Sequence, residues 1–493
     1  MKALHLLTIL EAAEALQKGE ITSVELTEAH LARAEALNGT LNAFVRIEPG
    51  LARKRAQESD DRRAKGESRG MLEGIPYTLK DVFATTDSIT TASSHMLEDW
   101  LAPYNSTTYH RLNQAGAVLL GKTNTDEFTM GASSETSYFG VTRNPWNTEL
   151  VAGGSSGGPA AAMAARIGCF SIATDTGGSI RQPASFCGVT GLKPTYGRVS
   201  RFGELAMASS LDQTGPMTAT VADTALVLQA IAGHDELDAT SSESEVPDYF
   251  AGLTGNLTGV KVGVPAEFFG EGVKPEVELL VRAGIDQLKN LGAEIIEVSL
   301  PTAPKSLAVY YVICPAEVSS NMARYDGIRF GHSIEREENA GENTLFDVYA
   351  KSRAGGLGNE VRRRIMLGTH ALSSGYHDAY YNQAAKVRTV IGQEFADAFT
   401  KVDVLVAPVS PHTAFKVGAQ ISDPLAMYKE DILAAPVNVA GLPGMSIPCG
   451  FADGLPVGMQ IIGPRFGEQA VLNVGDAYQR ATDFHTQVPE LSA

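Results

Sequence analysis

The sequence predicts an α/β fold in which a central β-sheet is covered by helices, and three features of the chain indicate it. Short β-type runs alternate with helical runs from Gly74 onward, which is the pattern of a sheet enclosed by helices. Nine glycines fall within residues 153–191, where the backbone must turn tightly or approach a ligand closely. A long helical stretch from about residue 305 to 400 separates two groups of β-type runs, so we also expect a helical middle region.

The N-terminal region is predicted to be helical. Two helices are expected within residues 8–36, each opened by a capping-box pair, Thr8 with Glu11 and Thr22 with Glu25. A charged helix follows before the first β-type run.

Changes in composition and in the pattern of apolar residues along the chain predict four parts. They are a helical N-terminal region (residues 1–70), a core with the Lys and Ser motifs described below (71–233), a surface connection (234–257) and a remainder with the substrate-recognition region (258–493). The connection is polar, acidic and without a period, which is typical of a surface loop. After it the pattern runs strand, helix, strand, then the long helical stretch, further strands and a C-terminal helix.

Charge and cysteine content argue against several classes of function. The net charge of −17 repels phosphates, so we expect no nucleic-acid binding by this chain alone. The four cysteines lie far apart without a C-x-x-C pair, which disfavours a disulfide scaffold and a zinc site. No apolar run approaches the ~20 residues of a membrane-spanning helix, and the acidic N-terminal stretch does not fit a signal peptide. We therefore expect a cytoplasmic protein without a metal site or membrane contact.

Residues 116–123, GAVLLGKT, match the P-loop pattern G-x-x-x-x-G-K-[ST]. A P-loop needs variable residues that turn, so that successive N–H groups face a phosphate, and a helix that opens at the Lys-Thr pair. Here the variable residues are apolar and predict a strand instead. An ATP-binding or scaffolding subunit remains an alternative that rests on this match.

Residues 153–157, GGSSG, match the G-x-S-x-G nucleophile elbow. That elbow needs a strand immediately before it and a His partner downstream. The preceding residues, 143–148, are of turn type, and no His lies in a comparable setting. A Ser-His-Asp hydrolase with Ser155 as nucleophile is therefore the less favoured interpretation.

Three segments carry residues that together suit amide hydrolysis. Lys80 ends an apolar run, Ser155 lies in a GGSSGG loop, and Ser179 follows two glycines in the segment DTGGSIR. A serine hydroxyl becomes an effective nucleophile only when a base removes its proton. A lysine that burial keeps neutral can be that base, so no His is required. Consecutive glycines let several N–H groups converge into an oxyanion hole. Singly, such a Lys is usually a surface residue and such a loop a turn, but their joint occurrence favours catalysis.

These segments resemble the amidase signature family, whose pattern is a Lys, a GGSSGG loop and a DTGGSIR segment. The resemblance extends from about residue 8 to 483 and implies the amidase-signature fold, with a mixed central β-sheet covered by helices. It implies that Ser179 forms the acyl-enzyme, that Ser155, after a cis peptide bond, bridges the proton, and that Lys80 is the final base. The implied oxyanion donors are the backbone N–H groups of Thr176, Gly177, Gly178 and Ser179.

Further stretches, at 319–329, 368–381 and 436–444, resemble the glutamine-hydrolysing members of the family that work in tRNA-dependent amidotransferases. That resemblance implies glutamine as the substrate, with recognition by Tyr310, Arg364 and Asp431. An arginine can pair with the α-carboxylate of glutamine and an aspartate with its α-ammonium group. The alternative is that neither residue binds substrate: Arg364 would then lie on a solvated helix face, and Asp431 would be a surface carboxylate.

The same resemblance implies a heterotrimer in which this chain is joined by the B and C subunits of the amidotransferase. Misacylated Glu-tRNA(Gln) or Asp-tRNA(Asn), held mainly by the B subunit, would receive the ammonia and become Gln-tRNA or Asn-tRNA. No cofactor is implied in this chain, whereas ATP and Mg²⁺ are implied in the partner. A free-standing amidase acting on another small carboxamide is the alternative, because the same triad serves both. The chain departs from the family pattern at Pro159, at Cys314 followed by Pro315, and at Glu204.

Overall fold

Eleven strands form one sheet that extends through the whole protein, in a computed structural model that describes residues 2–270, 272–337, 341–420 and 423–491. In chain order the strands are β1 (Phe44–Ile47), β2 (Pro76–Lys80), β3 (Val118–Thr123), β4 (Arg143–Asn144), β5 (Asn147–Val151), β6 (Phe170–Thr174), β7 (Thr190–Lys193), β8 (Thr214–Thr218), β9 (Lys261–Pro265), β10 (Glu294–Val298), β11 (Val404–Pro408), β12 (Gly444–Ala452) and β13 (Leu455–Ile462). Strands β4 and β5 form a separate two-stranded ribbon.

The main sheet has the strand order β1-β3-β2-β6-β8-β7-β12-β13-β11-β9-β10. Strand β2 is parallel to β3 and β6, and β9 is parallel to β10 and β11. The remaining neighbours, from β1–β3 to β11–β13, are antiparallel. The predicted mixed α/β sheet is therefore confirmed.

Helices cover this sheet. They are α1 (Ile9–Lys18), α2 (Ser23–Leu41), α3 (Pro49–Ala64), α4 (Thr107–Gln114), α5 (Gly157–Ala164), α6 (Arg181–Cys187), α7 (Val221–Ile231), α8 (Pro275–Asn290), α9 (Ser306–Asn321), α10 (Leu345–Gly356), α11 (Asn359–Leu372), α12 (Asn382–Phe399), α13 (Pro424–Lys429), α14 (Ala435–Val439) and α15 (Glu468–Arg480). Within the described ranges, none of them has the length and apolar character needed to cross a membrane.

Strand β3 shows how both faces of the sheet are buried. Leu119 belongs to the largest hydrophobic cluster, whereas Val118 and Leu120 belong to a second cluster built with α2, α3 and α5. Successive side chains of a strand point to opposite faces, so an apolar layer lies on each side of β3. A continuous apolar run is the sequence that such a strand requires.

The P-loop match therefore lies on a buried strand. Lys122 is fully buried, and its Nζ donates to the carbonyl oxygen of Phe83 at 2.7 Å and to Oγ1 of Thr90 at 2.8 Å. Its ammonium group has internal partners and is out of reach of a nucleotide phosphate.

The N-terminal helices begin as the sequence predicted. Both capping boxes are present, with Thr8 and Glu11 at α1 and with Thr22 and Glu25 at α2. The N-terminal region is not purely helical, because β1 pairs with β3 at the edge of the main sheet. The four-part division of the chain stays a prediction.

The helical middle region is interrupted, and two of its helices cross closely. The helical stretch that the sequence suggested is not continuous, because α9 ends at Asn321 and the residues that follow include Gly327 and Gly331 with positive φ. Where α9 and α11 meet, a Cβ atom on Gly368 would lie 1.7 Å from the carbonyl oxygen of Pro315. Only glycine allows this contact, which brings Tyr310 of α9 and Arg364 of α11 to the same side of the fold.

Candidate active site

Lys80 is the last residue of β2 and its side chain is fully buried. Its Nζ donates to three hydroxyl oxygens, Ser155 Oγ, Ser156 Oγ and Thr174 Oγ1, each at 2.8 Å. The strand is buried along its whole length, so the amino group is shielded from bulk solvent and depends on these three neighbours.

Burial lowers the pKa of Lys80 to about 7, because desolvation penalises the charged ammonium form. Four surrounding carboxyl groups act in the opposite direction, in decreasing order Glu204, Asp126, Asp175 and Asp212. A pKa near neutrality gives Lys80 a substantial neutral fraction, which is what a general base requires.

Ser155 follows a cis peptide bond from Gly154. Its carbonyl oxygen accepts a hydrogen bond from Oγ1 of Thr125 at 2.8 Å, which helps to hold the loop in place. The hydroxyl of Ser155 faces the lysine and accepts a hydrogen bond from its Nζ, so this serine is in direct contact with the candidate base.

A strand does precede this loop, so the expectation of turn sequence before Gly153 was wrong. Strand β5 ends at Val151, because the residues of turn type form the tip of the β4–β5 ribbon instead of continuing into the loop. The ribbon lies outside the main sheet, and Lys80, not a histidine, contacts the Ser155 hydroxyl.

Ser179 lies in the turn between β6 and α6 and is 6% exposed. Its carbonyl oxygen accepts a hydrogen bond from the backbone N–H of Ser156 at 3.2 Å, which joins the two serine loops. Among the described residues, no hydrogen bond connects the Ser179 hydroxyl with Ser155. Such contacts are commonly loose without substrate and tighten when it binds.

Ser179 and the three residues before it have backbone N–H groups without a hydrogen-bond acceptor in the described part of the chain. The three other residues are Thr176, Gly177 and Gly178. The Asp175 side chain stabilises the turn, because its Oδ2 accepts hydrogen bonds from the backbone N–H groups of Ile180 at 3.1 Å and Arg181 at 3.3 Å. Gly178 has φ +147°, a conformation that side chains disfavour. Free, fixed N–H groups beside a serine suit the stabilisation of an oxyanion.

The three residues assigned to glutamine recognition lie around the same two glycines. A Cβ atom on Gly177 would be 2.7 Å from Cζ of Tyr310, and one on Gly178 would be 3.5 Å from Oδ1 of Asp431. Arg364 is close enough to interact electrostatically with both Tyr310 and Asp431. The structure thus brings all three residues together beside Ser179.

Arg364 is buried and does not lie on a solvated helix face, so the alternative that it is only a surface arginine is wrong. Its Nε donates to Glu360 Oε1 at 2.8 Å, and its guanidinium carbon lies 5.6 Å from the ring centre of Tyr311 and 5.5 Å from that of Tyr428. Within the described ranges, its two terminal nitrogens have no hydrogen-bond partner. They are available for a carboxylate, which arginine binds with two parallel bonds.

Asp431 is also buried, and its Oδ2 accepts a hydrogen bond from the Tyr311 hydroxyl at 3.0 Å. Burial raises the pKa of Asp431 to about 7, although Tyr311 and Arg364 act against this shift. A buried carboxyl group with this pKa gains from a bound cation, because an opposite charge favours its ionised form.

Sequence reasoning missed several partners of the candidate residues. Ser156 and Thr174 hold Lys80, while Glu360 and Tyr311 orient Arg364 and Asp431. Glu360 could have been found, since it lies four residues before Arg364 on one helix. The others are neighbours only in space. In the described residues, no group of three or more His, Cys, Asp or Glu side chains is arranged to hold a metal ion.

The chain is similar to known proteins over almost its whole length. The family model described as Amidase matches residues 25–472. The A subunit of the glutamyl-tRNA(Gln) amidotransferase of Roseiflexus sp. (strain RS-1) is 55% identical over 491 residues, covering 100% of this chain and 99% of that protein. The protein of the same name from Methylococcus capsulatus is 54% identical and covers 99% of each chain.

Solved structures give the same result. The crystal structure of the A subunit of the glutamyl-tRNA(Gln) amidotransferase of Thermotoga maritima superimposes with a TM-score of 0.83 at 38% identity, covering 100% of this chain and 99% of the other. The peptide amidase of Stenotrophomonas maltophilia gives a TM-score of 0.83 at 32% identity, covering 96% of each chain. This chain therefore belongs to the amidase family of enzymes.

Proposed function

We propose that the protein is the glutaminase subunit of a tRNA-dependent amidotransferase. The observation that carries this proposal is the pair of opposite charges beside Gly177 and Gly178. Within the described residues, Arg364 has two nitrogens free for an α-carboxylate, and Oδ1 of Asp431 accepts no hydrogen bond and is free for an α-ammonium group. A free amino acid carries both groups, whereas a simple amide carries neither.

The proposed reaction uses Ser179, Ser155 and Lys80 in sequence. Neutral Lys80 takes the proton of Ser155, which takes that of Ser179, while Ser179 Oγ bonds to the carboxamide carbon. The N–H groups around Gly178 bind the negative oxygen that forms. The proton returns through Ser155 to the leaving nitrogen, the C–N bond breaks, and ammonia departs. Water then hydrolyses the glutamyl ester by the reverse proton path and releases glutamate.

The names of the full-length relatives support a role in amidotransfer. The proposal includes the B and C subunits as partners in the cytoplasm, with ATP and Mg²⁺ bound by a partner and not by this chain. It also includes misacylated tRNA held mainly by the B subunit, because a chain of net charge −17 offers phosphates little attraction.

Arg364→Ala should raise the KM for glutamine about 100-fold or more while leaving ammonia usable by the complex. The substitution removes a buried, two-pronged partner of the α-carboxylate, a loss of roughly 3 kcal/mol. The assay compares tRNA amidation with glutamine and with ammonium chloride as the nitrogen donor.

Arg362→Ala is the matched control for this variant. Arg362 is an exposed arginine on the same helix that bonds to Asn359, so its loss should leave the KM unchanged. Equal loss of glutamine-dependent and ammonium-dependent amidation in Arg364→Ala would contradict a role in glutamine capture.

Glutamine hydrolysis by the isolated chain should be slow and should increase markedly when both partner subunits, charged tRNA and ATP are added. A partner that binds the competent state more tightly shifts the enzyme towards it, by no more than its differential affinity. The measurement is glutamate release with each component omitted in turn. Rapid hydrolysis of varied amides by the chain alone, unaffected by partners, would instead support a free-standing amidase.

A further inference from the structure

We propose that Glu204 is a positioning residue whose own protonation state controls whether Lys80 can act as a neutral base. The proposal rests on the assignment of Lys80 as the base of the proposed reaction. Glu204 is one of the positions where the chain departs from the family pattern, and the proposed reaction does not use it.

Two paired threonines on neighbouring strands lie between Lys80 and Glu204. Lys80 Nζ donates to Thr174 Oγ1 at 2.8 Å, and Thr214 Oγ1 donates to Glu204 Oε2 at 2.8 Å. Thr174 on β6 and Thr214 on β8 are directly paired in the antiparallel register. Directly opposed side chains have Cβ atoms about 5 Å apart on the same face of the sheet. Glu204 therefore belongs to the polar surroundings of Lys80.

Glu204 also reaches the outside of the protein, which Lys80 does not. Its backbone pairs with that of Phe83, three residues beyond Lys80, in an isolated antiparallel β-bridge. The residue also lines a cavity of about 390 Å³. The cavity walls combine aromatic side chains, among them Trp100, Tyr104 and Tyr325, with charged ones. Glu204 as a residue is partly exposed on this side, although most of it is covered by protein, whereas Lys80 is fully buried.

Glu204 and Asp212 are two carboxyl groups that interact electrostatically, and their hydrogen bonds differ. Asp212 accepts from the backbone N–H groups of Met207 and Ala208 and from the Thr176 hydroxyl. Within the described residues, the Glu204 carboxyl accepts from a single hydroxyl donor. Hydrogen bonds to a carboxylate favour its ionised form, so Asp212 keeps the negative charge and Glu204 takes the proton.

The surrounding charges agree with this division. Burial raises the pKa of Glu204, the neighbouring Asp212 raises it further, and Arg201 opposes the shift. Burial also raises the pKa of Asp212. The other charged groups that face this cluster are Asp126 and Asp175, beside Lys80, Glu317, beside Asp212, and Asp238 and Arg324, which line the cavity with Glu204.

The consequence concerns where one proton resides. When the protonated Lys80 and neutral Glu204 together lose one proton, two arrangements result. Either both groups are neutral, or they form an ion pair of protonated Lys80 and ionised Glu204, which act on each other across Thr174 and Thr214 without direct contact. Only the first contains a lysine that can act as a base. The ion pair withholds the base although the total proton count is the same, so the carboxyl of Glu204 delays activation of Lys80 as the pH rises.

Glu204→Gln removes the ion pair while keeping the size of the side chain and an acceptor for Thr214. We expect the acid limb of the pH–rate profile to move to lower pH by about half a unit or more, and to fit a single ionisation. The readout is the rate at which an alkyl fluorophosphonate labels Ser179, where an O–P bond forms, fluoride leaves and the base takes the hydroxyl proton. Glutamine hydrolysis is measured in parallel.

Thr214→Val provides an independent test that keeps the Glu204 carboxyl. It removes the hydroxyl that donates to Glu204 and disfavours the carboxylate, so the acid limb should move in the same direction as in Glu204→Gln. In the Glu204→Gln background it should add nothing. An unchanged acid limb in a folded Glu204→Gln, or in Thr214→Val where Glu204→Gln does not fold, would overturn the proposal. Absence of Ser179 labelling in the unmodified protein would instead reject the proposed function.

Discussion

Ser179→Ala is expected to reduce glutamine hydrolysis by roughly 10⁴-fold or more, because it removes the atom that bonds to the substrate carbonyl. The fold should be unaffected. The side chain lies in a turn that backbone contacts hold, through Asp175 on one side and the N–H of Ser156 on the other. Only residual catalysis by the N–H groups around Gly178 should remain.

The nucleophile can be identified directly by mass spectrometry after reaction with an electrophilic glutamine analogue. The adduct should be found on Ser179 and be absent from Ser179→Ala. Ser446→Ala is the matched control, because it removes another buried hydroxyl, one without a hydrogen-bond partner in the described part of the chain. An adduct on Ser155 would reverse the assignment and restore the nucleophile-elbow interpretation of the GGSSG loop.

Features encoded by a few neighbouring residues could be predicted from the sequence. The capping box of Thr8 and Glu11 sets the start of α1, because its two hydrogen bonds involve only adjacent residues. The apolar run before Lys122 predicted β3 and argued against a phosphate-binding turn for the same local reason. Lys80 was placed at the end of a strand, and that is where β2 ends.

Features that depend on contacts between distant segments could not be predicted. Tyr311 and Asp431 are 120 residues apart in the chain and meet only because α9 packs beside the segment before α14. The strand β5 was missed because its partner β4 lies across a tight turn, and turn residues dominate that stretch. The same limit applies to Glu204, which appeared in the sequence only as an unusual residue and acquires a role through the β6–β8 register.

The protonation state of Lys80 decides whether the enzyme uses the mechanism of Ser-Lys hydrolases. A lysine with a pKa of about 7 must lose its proton before it can accept one from Ser155. Glutamine hydrolysis should therefore fall as the pH drops through about 7, by roughly tenfold per pH unit below it, and should level off above. The sign follows from burial, which disfavours the charged form, and a group that had to be protonated to act would give the opposite slope.

Replacement of Lys80 separates its proton chemistry from its charge. Lys80→Ala should lower the rate of Ser179 acylation by about 10²–10⁴-fold, the usual contribution of a positioned general base. Lys80→Arg should not restore it, because a guanidinium group keeps its charge at every accessible pH and can donate to Ser155 but not accept its proton. Both variants are compared by acylation rate across pH and by thermal unfolding, so that loss of the fold is recognised. If Lys80→Arg retained a near-normal rate, Lys80 would be an electrostatic support and the base would lie elsewhere. If the acid limb near pH 7 disappeared in both variants together with the activity, the titrating base would be Lys80 itself.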